Sequence, residues 1–461
     1  MRKSGDLLFA KIPRLKFLES ITFHDFGSTG SKIIAIQPSR GSSLEIIVLD
    51  NGLISKGEHS YNLSVKLTEK LTQRKLPFRI FGSQRMSPAI VEELGAHPHF
   101  SRSLYDSLDD SLDLSRWEKR WHTAVNLFQR SRLLHPPRSE RRSWRALNQS
   151  FAEDLANLPQ DVWDLANLIL IPAISQNQIF GLVRCLKGQS KNKLPRILCG
   201  LMFPPFWTPW GGLARHGERY YRDAFRQAAP FLDRVLTFTV ENRAMQELFK
   251  DLYGIEPEIL PIPFEAAPRK AKSVGPLRVG FFGYSKCDKG FHLLPEAIAL
   301  CRSQGVQAEF IIQIQHHQWE PRVIEAEGTL RGLAGVKFLT GVLSAHDFAN
   351  WTGQADIILL PYDPIAFGAA RGSGIFIESV AAGCPIIASK DTFAGTSVEN
   401  EEAEGEVFAP YTSEALAAAI ARLIRRWPRC SERAAAKALA FARRHNGEFY
   451  TDLLLKLGAR L

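Results

Sequence analysis

Apolar residues come in short dense runs along this chain, and amphipathic stretches separate them. Leu44 to Asp50 (LEIIVLD) is a β-branched run of the kind buried on both faces of a parallel sheet. After the loop NGLISKGEHS, Leu63, Leu67 and Leu71 recur every four residues and share one face of a helix. PFRIFGS is the next strand, so strand, helix and strand form a right-handed parallel unit. The alternation resumes with the strands NLILIP, RILCGLMF and RVLTFTV. Between and after them lie the helical stretches QNQIFGLVRCLKG, RHGERYYRDAFRQ and NRAMQELFKDLYG, the last of which Gly254 is placed to end.

The run Ile259 to Pro276 carries four prolines and reads as a linker. Beyond it the pattern repeats: LRVGFFGYS, a helix from about Gly290 to Gln304, AEFIIQIQ, VKFLTG, a short helix near Ala345 to Thr352, ADIILLPY, a helix from Gly374 to Ala382, and CPIIAS. Ala-rich helical sequence fills Ser413 to Arg444, and the tail EFYTDLLLKLGARL is helical too. This order predicts an α/β chain of two Rossmann-like domains, with a ligand between them at the carboxyl ends of the strands. The expected boundaries are an N-terminal extension over 1–43, a first domain over 44–260, a linker over 261–276, a second domain over 277–430 and C-terminal helices over 431–461. The polar stretch from about 98 to 161 reads as a basic insertion in the first domain.

Composition narrows the function classes. With 461 residues, 45% hydrophobic and 23% charged, the chain is that of a globular protein with more than one core. Lys11, Arg14 and Lys16 interrupt any signal-peptide core. The longest uncharged stretch, Ile197 to Ala214, holds three prolines and three glycines, too many for a spanning helix. Six scattered cysteines without a CxxC pair point to a reducing, cytoplasmic setting and to no structural metal. The net charge of +10 suits anionic partners. From Arg116 to Arg145 nine Lys or Arg stand against Glu118 and Glu140, with Trp117, Trp121 and Trp144 among them. This segment reads either as a peripheral contact with an anionic inner-membrane face or as a solvated helical insertion with inward tryptophans. Nucleic acid is not expected, since charge without a recognition module is its only support.

Three places join glycine, charge and a helix start beyond a strand: Lys56-Gly57-Glu58-His59, the loop Gly283 to Gly290, and Ala369-Ala370-Arg371-Gly372-Ser373-Gly374. In the last two, glycine lets the backbone approach a ligand, and the helix N-terminus attracts an anion. Lys289 and Arg371 add the charge a diphosphate needs. Glu378, one turn past Gly374, can accept hydrogen bonds from two neighbouring hydroxyls, as on a ribose. His59 is a candidate to touch donor or acceptor. His316-His317 is not a metal pair, since adjacent strand residues point to opposite faces.

FFGYSKCDKGFHLL, ADIILLPYDP, IFIESVAAGCPIIAS and the run RVLTFTVENRAMQELF…ILPIPFE resemble the retaining GT-B glycosyltransferases that include glycogen synthases and lipopolysaccharide-core transferases. KGEHSYNLSVKLTEKLTQRKLPFRIFG resembles that family's opening loop, helix and second strand. The resemblance implies a GT-B fold, two Rossmann-like domains facing across a cleft. It implies a nucleotide-sugar donor as substrate, no other cofactor and no metal. Lys289, with Gly283 in its loop, would contact the donor diphosphate, Gly372, Ser373 and Gly374 would lie under the phosphates, and Glu378 would hold the ribose. Arg371 would add charge, Gly57 would belong to the loop closing on the donor, and His59 and Glu378 are the catalytic candidates. The family's proposed front-face substitution with retention lets the donor phosphate take the acceptor's proton. The acceptor is expected to be a glycan or a lipid-linked glycan. Two departures stand out: the family's earlier glutamate, eight positions before Glu378, is Ala370, and its usual arginine is Tyr284. Two alternatives share the architecture: a nucleotide-sugar epimerase, and a non-catalytic donor-binding or assembly subunit.

Overall fold

The structure, a computed structural model, describes residues 44–107, 138–189, 194–205, 217–232, 234–264, 275–316 and 320–459. Among these residues the strands form two wholly parallel sheets. The first joins β1 (Ile46–Asp50), β2 (Phe78–Ser83), β3 (His97–Phe100), β4 (Leu168–Ile171), β5 (Arg196–Gly200), β6 (Leu236–Val240) and β7 (Glu258–Ile259) in the order β3-β2-β1-β4-β5-β6-β7. The second joins β8 (Leu277–Phe281), β9 (Ala308–Ile314), β10 (Val336–Thr340), β11 (Ile357–Leu360), β12 (Ile386–Ser389) and β13 (Gly405–Phe408) in the order β10-β9-β8-β11-β12-β13. Each sheet grows outward from its first strand and then reverses, so the switch points are β1/β4 and β8/β11. Ligands of open α/β sheets bind beyond the strand ends at such points.

The apolar runs form strands because helices cover both faces. Every residue of β1, β4, β11 and β12 is buried. In β1 the faces alternate: Ile47 and Leu49 join one core, Ile46 and Val48 the other. Leu63, Leu67 and Leu71 lie buried on the inner face of α1 (His59–Gln73). Truncating any one of them to Ala costs about 2–5 kcal/mol.

The stretch read as an insertion contributes two pieces of the first domain's core. β3 pairs in parallel with β2, and α2 (Arg138–Ala156) packs on α3 (Gln176–Lys187). Phe151 of α2 stacks on Phe100 of β3 with centroids 5.6 Å apart. Leu147, Phe151 and Leu155, four residues apart, are all buried. That stripe was present in the sequence, but the charged outer face of the helix dominated the composition. Trp144 faces inward, edge-on to Phe180 at 4.9 Å and stacked on Tyr220 at 5.1 Å. Trp117, Trp121 and the rest of 108–137 lie outside the described residues.

Two helices of the second domain begin or end elsewhere than expected. Two short 3-10 turns, Cys287–Lys289 and Phe291–Leu293, flank Gly290 ahead of α4 (Leu294–Ser303), whose first turn holds Pro295. The Ala-rich stretch is two helices, α6 (Ser413–Arg425) and α7 (Trp427–Arg444), divided where Pro428 enters the first turn of the second. The last helix, α8 (Gly447–Ala459), returns to the first domain. Its Tyr450, Leu454 and Leu457 join Leu63 and Leu67 in one core, and its Asp452 pairs with Arg74 of α1 at 2.7 Å. Beside this crossing the Phe264 amide donates to the His445 carbonyl at 2.5 Å. No helix among the described residues is long and apolar enough to cross a membrane.

Candidate active site in the interdomain cleft

On the second domain, β8 delivers the chain into the loop Gly283 to Gly290. The Gly283 amide donates to the Gln313 side chain at 2.8 Å, and the Ser285 amide to the Gln315 carbonyl at 2.8 Å. Gly290 closes the loop at φ +73°, against the exit of β11; a Cβ there would lie 1.8 Å from the Pro361 carbonyl oxygen. The loop so held presents Lys289 between two rings, its ammonium 5.8 Å from Tyr284 and 5.9 Å from Tyr362. Lys289 makes no hydrogen bond or ion pair among the described residues. Burial lowers its pKa to about 8, so the side chain is still mostly charged at neutral pH.

Arg371 lies 3.8 Å from the Asp288 carboxylate and stacks over Phe367 at 3.9 Å. Lys286 also feels Asp288, and burial lowers its pKa too. Lys286, Lys289 and Arg371 thus surround Asp288, with positive charge in excess. Next to them Ser373 caps α5 (Gly374–Ala381), its hydroxyl accepting from the Phe376 amide at 3.3 Å. The Tyr362 hydroxyl is bonded to the Ser373 hydroxyl at 3.0 Å. Cations and a helix N-terminus therefore converge beyond the strand ends, which is what an anionic diphosphate requires.

Glu378 sits one turn into α5, half-buried, where burial raises its pKa to about 7 and only Lys66 of α1 pulls it back. Gly374 abuts Phe264: a Cβ would lie 2.9 Å from the ring. Gly372 is closer still to the first domain, since its Cβ would lie 2.4 Å from Oε2 of Glu241. Gly57, at φ +82°, borders Val342 in the loop after β10. The glycine-rich segments are thus where the domains meet.

The first domain's side of the cleft has a different chemistry. His59 opens α1 with Nε2 buried and unbonded among the described residues, and burial lowers its pKa to about 4, so the ring is neutral. His59, Thr239, Glu241 and Tyr450 line one narrow cavity of about 20 Å³ at the ends of β4 to β6. Asp50, at the end of β1, accepts from the Gly52 amide at 2.9 Å and the Ser60 hydroxyl at 3.2 Å; burial still raises its pKa to about 6. Sequence reasoning brought together Gly283, Lys289, Arg371, Gly372, Ser373, Gly374 and Glu378, which share one region of the second domain. Gly57 and His59 lie across from them. Glu241, Asn242, Lys66 and Tyr362 were missed. The signal for Glu241 was available: an acid directly after the buried strand RVLTFTV and before a helix cap.

Residues 276–426 match the family described as Glycosyl transferases group 1. Among solved structures, a sucrose-phosphate synthase from Thermosynechococcus elongatus is similar at 15% identity and TM-score 0.59, over 90% of this chain and 98% of that one. A glycosyltransferase from Rickettsia africae matches at 12% identity and TM-score 0.57, over 91% and 98%. An Anabaena HepE structure in complex with UDP and glucose matches at 14% identity and TM-score 0.54, over 90% and 99%. No curated protein matches by sequence. Residues 276–426 are therefore similar to the group 1 glycosyl transferase domain, and the chain as a whole shares the two-sheet fold of these solved structures.

Proposed function

We propose that the cleft transfers a sugar from a nucleotide-sugar donor, held by the second domain, to an acceptor on the first domain. The observation that carries this reading is Lys289: an ammonium without an ion pair among the described residues, beside Arg371 and the capped N-terminus of α5. These groups are suited to neutralise a diphosphate in the ground state and, more strongly, as it leaves. They do so without a metal in the mechanism. Glu378 accepts the ribose hydroxyls, and Lys66 holds its carboxyl toward the ionised form. The HepE structure in complex with UDP and glucose makes UDP-sugars the first donors to test.

Transfer proceeds with retention, the leaving phosphate oxygen taking the acceptor's proton. His59, neutral at physiological pH, serves as a hydrogen-bonding group at the acceptor rather than as a countercharge. The acceptor is a glycan, and the basic segment 116–145 favours a lipid-linked one at the cytoplasmic face of a membrane. Co-sedimentation with anionic liposomes that does not depend on this segment would remove the membrane part of the reading.

The test is calorimetry with UDP-, ADP- and GDP-sugars on the wild type and on Glu378→Gln. A hydrogen bond to a charged group contributes about 1.5–3 kcal/mol, so the variant should bind its donor at least about tenfold more weakly. Equal binding by a folded variant would sink the ribose assignment.

A further inference from the structure

We propose that Glu241 of the first domain binds hydroxyls of the sugar carried by the donor, completing the donor site from across the cleft; this rests on the donor site proposed above. The backbone beside Glu241 is held in place. It stands between Val240, the last residue of β6, and Asn242, the cap of the helix Arg243–Tyr253. The Asn242 side chain accepts from the Met245 amide at 2.9 Å and donates to the Ala370 carbonyl at 3.1 Å. One amide therefore fixes the backbone beside Glu241 to the segment that precedes the phosphate loop.

The carboxyl group then meets Gly372, where any Cβ would lie 2.4 Å from Oε2. Ser373 follows and caps the helix whose N-terminus faces the phosphates. The sugar's anomeric oxygen is bonded to the outer phosphate, so a group seated on Gly372 from the other domain is positioned for the sugar. On the second domain's side Ala370 and Gly372 offer this corner no polar side-chain atoms, and Arg371 between them lies 3.8 Å from Asp288.

Among the described residues Glu241 has no bonded partner, neither a hydrogen bond nor an ion pair, and its only counterweight to burial is the more distant charge of Arg371. Burial raises its pKa to about 8, so at neutral pH the carboxyl is largely protonated and both donates and accepts. Vicinal hydroxyls offer the complementary pairs, and a neutral carboxyl does not repel the adjacent diphosphate. His59 Nε2, likewise buried and unbonded, borders the same narrow cavity. That cavity has room for about one water, which can bridge the two groups while the sugar lies at its mouth.

The test separates sugar from nucleotide. Affinities of the full chain for UDP, ADP and GDP, and for their glucose conjugates, are measured by calorimetry on the wild type, Glu241→Ala and Glu241→Gln. The expected result is that the nucleoside diphosphate binds all three proteins alike. The affinity added by the glucose unit should fall about tenfold in Glu241→Ala and less in Glu241→Gln. An unchanged glucose increment overturns the proposal. So does an equal loss for the bare diphosphate, which would make Glu241 a prop for the phosphate loop. If no nucleoside diphosphate binds the wild type, the donor-site reading falls and this inference with it. Melting curves show whether Glu241→Ala folds, and the Gln variant, which keeps the shape, gives the answer if it does not.

Discussion

The same burial leaves the two walls of the cleft in different charge states. On the second domain Lys286, Lys289 and Arg371 all have lowered pKa values, yet Lys289 at about 8 still carries charge at neutral pH. On the first domain Asp50, Glu58 and Glu241 are raised and His59 is lowered, so burial moves each toward neutrality. Desolvation acts on both walls. The outcomes differ: Lys289 falls from 10.5 only to about 8, whereas Glu241 rises from 4.5 to about 8 and His59 falls from 6.5 to about 4. At neutral pH the second wall therefore stays cationic, which suits an anionic group, and on the first wall Glu241 and His59 are largely neutral hydrogen-bonding groups.

The largest expected effect comes from removing the loop that aims the cations. Gly290→Ala forces a Cβ onto the Pro361 carbonyl oxygen at a φ that favours glycine. Nucleotide binding should fall more than about 100-fold, measured by calorimetry, with a lower melting temperature. A variant that still binds would show that the loop does not aim the charge. Lys289→Ala should weaken nucleoside diphosphate binding by about ten- to 100-fold, the worth of one charge-assisted contact, with little change in melting temperature. If binding is unchanged, the second wall does not act through charge.

For the first wall the probe is pH. The pKa of Asp50 in the fold lies near 6, above its ordinary value of 3.8. The native state therefore holds that proton more tightly, and the stability this confers below about pH 4 is lost as pH rises through 6. Asp50→Asn should gain about 2 kcal/mol relative to wild type between pH 4 and pH 8, read from denaturant unfolding. A constant difference would mean that Asp50 is ionised in the fold and the wall is not neutral. The smallest effect is expected at Gly372→Ala, whose new methyl meets the end of a flexible glutamate side chain. It should displace Glu241 and alter preference among donor sugars while the affinity for the bare nucleotide holds within about threefold.

Much of the second domain was legible because its pattern is local. The loop Gly283 to Gly290 with Lys289, the capped helix and Glu378 lie on two short segments, each announced by glycine between an apolar run and a helical pattern. The first domain was harder. The stripe Leu147, Phe151 and Leu155 was masked by the charged outer face of its helix, so core was read as insertion. Glu241 was passed over because what distinguishes it is the close approach of Gly372, 131 positions later.

From the sequence alone came the two parallel sheets, their order in the chain and the cationic segments of the second domain. Those follow from apolar periodicity and from glycine and charge at fixed short spacing. Only the tertiary structure decided that the last helix returns to the first domain, that Asn242 and Glu241 reach the Ala370 to Ser373 segment, and that buried acids face buried cations across the cleft. These are contacts between residues distant in sequence. No local pattern encodes them, because each depends on where two whole sheets bring their strand ends together.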